Sequence, residues 1–191
     1  ETICLDSTLI AGPTTISELA VHTAKNIHSD LNKKKVLIIG AGETAELTAR
    51  YFKSAEVGQI MIANRSESRA KELAELMSVD YINMCHINDA LSVSDVIVTA
   101  THARDYLIDK TQIENLMNKR RDNLLLLDLS TPRNIDPSIC KIDNVSLYNL
   151  DHFDVISSEN IEKNKVALEK AEIMIQHHGR KVMDSFQYTD H

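Results

Sequence analysis

A glycine-rich turn between an apolar strand and a helix constrains this chain more than any other feature of its sequence. Residues 36–39 are Val-Leu-Ile-Ile, residues 40–45 follow with the form G-x-G-x-x-A, and residues 43–53 have the composition of a helix. Such a junction presents backbone N–H groups and a helix N-terminus at one point, where a dinucleotide pyrophosphate can bind. A second apolar strand at residues 59–63 completes the βαβ unit that this motif requires.

Strands and helices alternate along the rest of the chain. We predict strands at residues 36–39, 59–63, 81–84, 95–101, 124–129 and 145–148, and helices at 17–29, 43–53, 66–77, 87–91 and 110–119. The alternation predicts an α/β fold, a Rossmann-like doubly wound parallel sheet, and residues 157–186 predict a long C-terminal helix. We expect three parts: a segment with a helix that packs on the nucleotide domain (1–32), the nucleotide-binding domain (33–153) and the long helix (154–191).

Composition agrees with this fold and argues against two other classes of protein. Because 43% of the residues are hydrophobic but only 4% are aromatic, the core must be aliphatic, as in sheets covered on both faces. The net charge of −7 argues against a general nucleic-acid binder. No apolar run reaches the roughly 20 residues that span a bilayer. The chain begins at Glu1 without a secretory signal, so we expect a cytoplasmic fragment or processed product of a larger protein.

The three cysteines predict neither a zinc site nor a disulfide framework. Cys4, Cys85 and Cys140 are far apart and form no C-x-x-C pair, which fits a reducing compartment. Cys85 is followed by His86, but neighbours on a strand point to opposite faces. We therefore expect the cysteines to be structural, and we assign no catalytic or metal-binding residue. The pair His177-His178 on the predicted long helix is interpreted as solvated.

The end of the second strand indicates which dinucleotide binds. NAD sites usually place Asp or Glu there to accept from the ribose 2′-OH, but this chain has Asn64, followed by Arg65, Ser66 and Arg69. Guanidinium groups and a hydroxyl beside a helix N-terminus suit a 2′-phosphate, so we predict NADPH. In the alternative interpretation Ser66 is only a helix N-cap, and the two arginines are a solvated face.

Two loops beyond the carboxyl ends of later strands are candidates for the nicotinamide end of the site. They comprise residues 99–102 and 128–133. His102 is either an acid–base group or a plain loop histidine, and Asp128 is expected to anchor its loop by accepting hydrogen bonds. The residues predicted to bind the cofactor are Gly40, Ala41, Gly42, Glu43, Thr44, Ala45, Asn64, Arg65, Ser66, Arg69, Thr99, Ala100, Thr101, Ser130 and Pro132.

Other charged residues have two interpretations each. Arg133 either holds an anion or forms an ion pair with Asp136. The short basic runs at residues 33–35 and 119–121 are either solvated turns or contacts for a polyanion, and the solvated turn is the commoner case.

Several segments together resemble one known family, the glutamyl-tRNA reductases. Two of them are specific: P-R-x-I-D-P at residues 132–137 and Y-N-x-D at residues 148–151. The others are Ala11-Gly12-Pro13 before a helix, the glycine-rich turn, and Asn64-Arg65-Ser66, which is also similar to shikimate dehydrogenases. The resemblance extends over essentially the whole chain.

The resemblance implies an activity for the whole protein. This family uses NADPH to reduce the glutamyl group of glutamyl-tRNA(Glu) to glutamate-1-semialdehyde, the entry step of tetrapyrrole (porphyrin and heme) biosynthesis. A nucleophilic cysteine in an S-T-C-N-R motif forms a thioester in an N-terminal catalytic domain, and a long spinal helix leads to a dimerisation domain. That cysteine motif is absent from this chain. The resemblance implies a homodimer, with the next enzyme of the pathway, an aminomutase, as a further partner.

The chain departs from the family at two positions and leaves two other functions open. Thr44 stands where the family usually has Met, and His102 stands where a small residue is usual. His102 adds bulk where the nicotinamide would approach. The alternatives are a small NADP-dependent oxidoreductase similar to shikimate dehydrogenases and a non-catalytic, cofactor-sensing interaction module.

Overall fold

Parallel strands paired side by side form the centre of the molecule. The computed structural model describes residues 15–158. Its strands are β1 (Lys35–Ile39), β2 (Gln59–Ala63), β3 (Asp80–Ile82), β4 (Val96–Thr99), β5 (Leu124–Asp128) and β6 (Val145–Asn149). They pair in parallel in the order β3-β2-β1-β4-β5-β6, which confirms the predicted doubly wound, Rossmann-like sheet.

Helices connect the strands close to the predicted positions. They are α1 (Ile16–Ile27), α2 (Glu43–Ser54), α3 (Glu67–Met77), α4 (Ile87–Val93) and α5 (Lys110–Met117), with 3₁₀ turns at Leu31–Lys33, Met84–His86 and Pro137–Lys141. The Thr15 hydroxyl accepts from the Glu18 N–H at 3.2 Å and so caps the start of α1. Residues 150–158 are also helical.

Both faces of the sheet are buried, as the apolar strands predict. On one face Leu37, Ile97 and Leu126 pack with Leu91 of α4 and Ile113 of α5 in one aliphatic cluster. The alternate side chains of β1, β2 and β4 point to the opposite face and are fully buried as well. Sheets of this kind need helices on both sides, and that need explains the nearly continuous apolar strands.

The helix before the sheet belongs to the same compact unit, which comprises residues 15–154. A buried polar contact joins it to α2, because the Thr48 hydroxyl donates to the Thr44 carbonyl at 2.7 Å and its oxygen lies 2.9 Å from the Ser17 hydroxyl oxygen. The boundaries predicted near residues 32 and 153 stay predictions. The predicted long helix lies almost entirely outside the described residues. None of the described helices has the length and apolar character needed to cross a bilayer.

The third strand was predicted too far along the chain. β3 ends at Ile82, because the Asn83 side chain accepts from the Cys85 N–H at 3.0 Å and turns the backbone into a 3₁₀ turn. Cys85 and His86 therefore lie in that turn, and the prediction that they alternate along a strand is wrong. His86 instead lies 3.6 Å from the Asp89 carboxylate through its Nδ1 atom.

The two basic runs meet at the amino end of the sheet around one carboxylate. Lys34 Nζ lies 3.4 Å and Arg120 Nη2 lies 2.9 Å from the same Asp95 oxygen. The Lys35 N–H donates to the other oxygen at 3.0 Å. Burial raises the pKa of Asp95, but this N–H and the two cations together hold it below its ordinary value. Lys34 and Arg120 are half-buried structural groups, so the interpretation as solvated turns does not hold for them.

A buried histidine borders this ionic cluster. His28 follows α1, and 6% of its surface is exposed. Burial lowers its pKa, and the positive charge of Lys34 lowers it further, whereas Asp95 opposes these effects in part. The folded chain therefore favours the neutral imidazole.

The two glycines of the turn have different physical roles. Gly40 has φ of +138°, and a Cβ atom there would lie 2.1 Å from the Ala100 carbonyl oxygen. A Cβ atom on Gly42 would meet nothing within 4 Å. The fold thus requires a glycine at position 40 and does not require one at position 42.

Substitution of these two glycines should lower the free energy of unfolding to very different extents. We expect Gly40→Ala to lower the free energy of unfolding by more than about 3 kcal/mol, since strain and a backbone clash combine. Gly42→Ala should change it by less than about 1 kcal/mol, because Ala is only a poorer N-cap there. Urea denaturation monitored by circular dichroism measures both. Equal losses for the two variants would contradict this assignment.

Removal of the buried imidazole should flatten the dependence of stability on pH. The pKa of His28 is lowered in the folded state, so as the pH falls the unfolded chain takes up a proton at a higher pH than the folded chain does. Stability therefore falls as the pH drops below about 6.5. We expect His28→Gln to lose less stability than wild type between pH 7.5 and pH 5. Urea denaturation across that range provides the measurement, with His22→Gln, an exposed position on α1, as the control. Parallel curves for wild type and His28→Gln would show that this histidine does not titrate differently on folding.

Candidate functional site

The candidate site lies beyond the carboxyl ends of the strands, where ligands bind in open α/β sheets. The chain order reverses between β1 and β4, so the connections that follow these strands run in opposite directions and leave a crevice. A groove of about 600 Å³ lies there, lined by the glycine-rich turn, the end of β2 and the loops after β4 and β5. A second hollow of about 380 Å³ shares Asn64, Arg69, Thr101 and His102 with it.

Ten of the predicted cofactor residues line these two hollows. They are Ala41, Gly42, Glu43, Thr44, Asn64, Arg65, Ser66, Arg69, Ala100 and Thr101. Gly40, Ala45, Thr99 and Ser130 lie beneath the surface of the groove as supporting residues, and Pro132 is exposed outside its lining. The lining also includes Leu129 and Thr131 of the predicted loop 128–133. It includes Met84 as well, which the sequence interpretation missed because an apolar side chain carries no chemical signal.

The glycine-rich turn leaves the start of α2 open to the groove. Gly42 is the N-cap residue of α2, and it supplies no side-chain hydrogen bond to the first turn. The first N–H groups of a helix have no partner within the helix, and the helix dipole favours an anion there. Packing within the described residues does not account for a glycine at position 42, because a Cβ atom there would meet nothing within 4 Å. The absence of a side chain leaves the backbone N–H groups open to a ligand. This geometry fits a pyrophosphate.

The end of β2 carries two arginines that have no paired partner within residues 15–158. Arg65 and Arg69 are exposed, and neither forms an ion pair or a hydrogen bond with the rest of residues 15–158. By contrast, Arg50 is paired with Glu46, and Arg133 is paired with Asp151. We call Arg65, Ser66 and Arg69, which are predicted to bind the 2′-phosphate, the phosphate corner. Both of its guanidinium groups are available to an anionic ligand.

The serine of this corner does not use its side chain to cap the helix. Ser66 is the N-cap residue of α3, but its side chain makes no capping hydrogen bond. Its hydroxyl lies 3.1 Å from the Ser68 hydroxyl, and the Asn64 amide donates to the Ser66 carbonyl at 3.2 Å, which holds the turn. The alternative in which Ser66 acts only as a side-chain cap is not what the structure shows.

One carboxylate organises the loop that follows β5. Asp128 is buried, and its Oδ1 atom accepts from the Thr99 hydroxyl at 2.8 Å and from the Ser130 N–H at 3.1 Å. Its Oδ2 atom accepts from the N–H groups of Asn134 and Ile135 at 2.9 and 3.0 Å. The prediction that Asp128 anchors the loop is confirmed. With both oxygens occupied by donors, this carboxylate is not placed to act as a base.

The other charged side chains at this end have structural or open roles. Arg133 forms its ion pair with Asp151, and the predicted pairing with Asp136 is wrong. The Asp136 carboxylate instead accepts from the Ser138 N–H at 2.8 Å and caps a 3₁₀ turn, so it is engaged locally. His102 is exposed on the rim of both hollows, with its Nδ1 atom 3.4 Å from the Thr131 carbonyl oxygen.

The described residues contain no cluster of His, Cys, Asp or Glu that could hold a metal ion. Cys85 and Cys140 are exposed free thiols. Cys4 and the pair His177-His178 lie outside the described residues.

The chain matches a family model and named relatives among known proteins. The family model for shikimate/quinate 5-dehydrogenase matches residues 22–156. A glutamyl-tRNA reductase from Sulfurihydrogenibium sp. is 37% identical over 166 residues, which cover 87% of this chain and 38% of that protein. The structure of the glutamyl-tRNA reductase from Methanopyrus kandleri superimposes with a TM-score of 0.82 at 28% identity, over 95% of this chain and 46% of that one.

A further structure supports the fold alone. The nucleotide-binding domain of the Thermoplasma volcanium glutamyl-tRNA reductase matches with a TM-score of 0.65 at 23% identity, over 81% of this chain and 99% of that one. The chain spans about two-fifths of the length of the curated relatives that it matches. Its fold is one that binds nicotinamide cofactors. The chain therefore belongs to the shikimate/quinate 5-dehydrogenase family, and it is homologous to a part of the glutamyl-tRNA reductases.

Proposed function

We propose that this chain is the NADPH-binding part of a glutamyl-tRNA reductase. In the whole protein it would serve the reduction of glutamyl-tRNA(Glu) to glutamate-1-semialdehyde in tetrapyrrole biosynthesis. The similarity to named reductases over most of the chain supports the reaction. The observation that carries the choice of cofactor is the pair of unpaired guanidinium groups, Arg65 and Arg69, at the end of β2.

The proposed binding mode uses three parts of the groove. The turn at Gly42 and the first turn of α2 would hold the pyrophosphate. The corner formed by Arg65, Ser66 and Arg69 would hold the 2′-phosphate of the adenosine ribose. The loops after β4 and β5 would border the nicotinamide. When bound, the cofactor supplies the hydride, and the chain's own residues bind it, orient it and exclude water around it.

Local electrostatics favour a phosphate over a hydroxyl in this corner. Asn64 is neutral where an NAD site usually carries a carboxylate. The acidic residue of the first turn of α3, Glu67, is engaged by Lys71 at 2.7 Å and by the Asn83 amide at 3.1 Å. The hydrogen bond from Lys71 lowers the pKa of Glu67, in agreement with that pairing. Because this carboxylate is directed to other partners, Arg65 and Arg69 remain free for the ligand.

The remaining parts of the reaction are assigned to the whole protein. Since the S-T-C-N-R motif is absent from this chain, we place the thioester-forming cysteine in a part of the protein that the chain does not cover. From the similarity to glutamyl-tRNA reductases we also expect the whole protein to be cytoplasmic and to form a homodimer through the long helix. Its expected partners are glutamyl-tRNA(Glu) and the aminomutase that acts next.

The phosphate corner should discriminate between the two dinucleotides. We expect wild type to prefer NADPH over NADH, and Arg65→Ala or Arg69→Ala to weaken NADPH binding about 10- to 100-fold, since a hydrogen bond between charged groups contributes about 1.5 to 3 kcal/mol. Binding of NADH should change little. Isothermal titration calorimetry gives both dissociation constants.

Arg121→Ala is the matched control, because Arg121 is exposed at the opposite end of the sheet and its loss changes the net charge equally. Preference for NADH by wild type, or equal weakening of both dinucleotides in Arg65→Ala, would overturn the proposed phosphate corner.

Activity separates the reductase from the simpler dehydrogenase. We expect the whole protein to form glutamate-1-semialdehyde from glutamyl-tRNA(Glu) and NADPH, and Arg65→Ala to lower kcat/KM for NADPH at least about tenfold. This chain alone should not oxidise shikimate or quinate with NADP. Spectrophotometric turnover of either compound by the chain alone would favour the shikimate-dehydrogenase-like alternative, to which the family model also points.

A further inference from the structure

A fully buried asparagine joins the two loops that border the proposed nicotinamide end. Asn134 has no exposed surface, although it lies in the loop after β5. Its side-chain N–H groups donate to the carbonyl oxygens of Ala103 and Asp105 at 2.8 and 3.2 Å. Its side-chain oxygen accepts from the Thr101 hydroxyl at 2.5 Å. One side chain thus holds three points of the loop after β4.

The backbone of the same residue completes the connection. The Asn134 N–H donates to the anchoring carboxylate of Asp128 at 2.9 Å. Its carbonyl accepts from the N–H groups of Leu107 and Ile108 at 2.7 and 3.2 Å. The loop after β4 is therefore tied through Asn134 to the strand end of β5, and each polar group of this buried amide is satisfied.

These contacts shape the wall of the cofactor groove. The loop held by Asn134 carries Thr101 and His102, which line both hollows, and Ala103 and Leu107, which line the smaller one. The loop comprises irregular backbone, so before the backbone bonds at Leu107 and Ile108 its shape depends on side-chain hydrogen bonds. Asn134 itself lines neither hollow.

We propose that Asn134 is a positioning residue for cofactor binding, which fixes the loop 101–107 as the wall of the groove opposite the phosphate corner. The inference rests on the proposed function, because it concerns the same groove. A rigid wall lowers the entropy that the ligand must remove on binding, so loss of the amide weakens every dinucleotide alike. It leaves the choice between NADPH and NADH unchanged, since Arg65 and Arg69 are held by other elements.

The test compares two dinucleotides in Asn134→Ala. We expect the dissociation constants for NADPH and NADH each to rise about tenfold, while their ratio stays within about twofold of wild type, a pattern opposite to that of Arg65→Ala. Calorimetry measures the constants. Hydrogen exchange of the Ala103 amide, which donates to the Thr101 hydroxyl, should be faster in the variant and so reports the released loop.

Two further variants keep the test decisive. Ser94→Ala removes a buried hydrogen bond of 2.7 Å to the Ala90 carbonyl, so it lowers stability far from the groove and should leave both constants unchanged. If Asn134→Ala does not fold, Thr101→Val is the substitute, because it removes the hydroxyl that donates to the Asn134 side-chain oxygen. It should weaken binding of both dinucleotides and leave the ratio of their dissociation constants unchanged.

The outcomes separate this inference from the proposed function. Unchanged dissociation constants in a folded Asn134→Ala or in Thr101→Val overturn the positioning role, and so does a loss in Ser94→Ala of the same size. A changed NADPH-to-NADH ratio in Asn134→Ala also overturns it, because the residue would then act on the phosphate corner. If wild type binds neither dinucleotide, the proposed function itself fails.

Discussion

The close approach of two backbone segments at the carboxyl end of β1 determines where every other part of the site can lie. The Gly40 N–H donates to the Ala63 carbonyl and the Ala100 N–H donates to the Ile39 carbonyl, each at 2.8 Å. β1 is therefore held between its two neighbours until the turn. At that point a side chain on residue 40 would collide with the Ala100 carbonyl. The chain can then begin α2 directly above the crevice, with its N-terminus towards any ligand.

Some basic side chains are paired within the fold, and others are not. At the amino end Lys34 and Arg120 share one carboxylate oxygen of Asp95, so their charge is used to join β1, β4 and the segment before β5. At the carboxyl end Arg65 and Arg69 have no such partner among the described residues. The cations that stabilise the fold are balanced within it, whereas Arg65 and Arg69 have no paired carboxylate among the described residues. The sequence alone does not show which basic residues are paired in the fold and which are not.

Sequence reasoning succeeded where the signal was local. The strand, the glycine-rich turn and the helix at residues 35–54 follow from apolar periodicity and from the needs of a tight turn. Asn64, Arg65 and Ser66 lie together because they are consecutive, so their position at a strand end sufficed. Asp128 was placed as an anchor because a buried strand that ends in a carboxylate must satisfy it.

Sequence reasoning failed where the partner is distant along the chain. The ion pair of Arg133 with Asp151 could not be distinguished from one with Asp136, since only the folded loop decides the distance. The end of β3 depends on a local side-chain bond of Asn83 that competes with strand pairing. Asn134 is the variable position of P-R-x-I-D-P and gave no signal of its own, since its contacts lie about 30 residues away at Thr101, Ala103 and Asp105.

The unpaired arginines also bear on the rate at which a cofactor arrives. The chain carries a net charge of −7, so at long range it repels an anionic dinucleotide. Arg65 and Arg69 attract a phosphate only at short range, within the Debye length of about 8 Å at physiological ionic strength. Added salt therefore has two opposing effects: it screens the repulsion that slows the encounter, and it weakens the attraction that completes it. For the proposed cofactor we therefore expect association to depend less on ionic strength than two exposed guanidinium groups alone would make it.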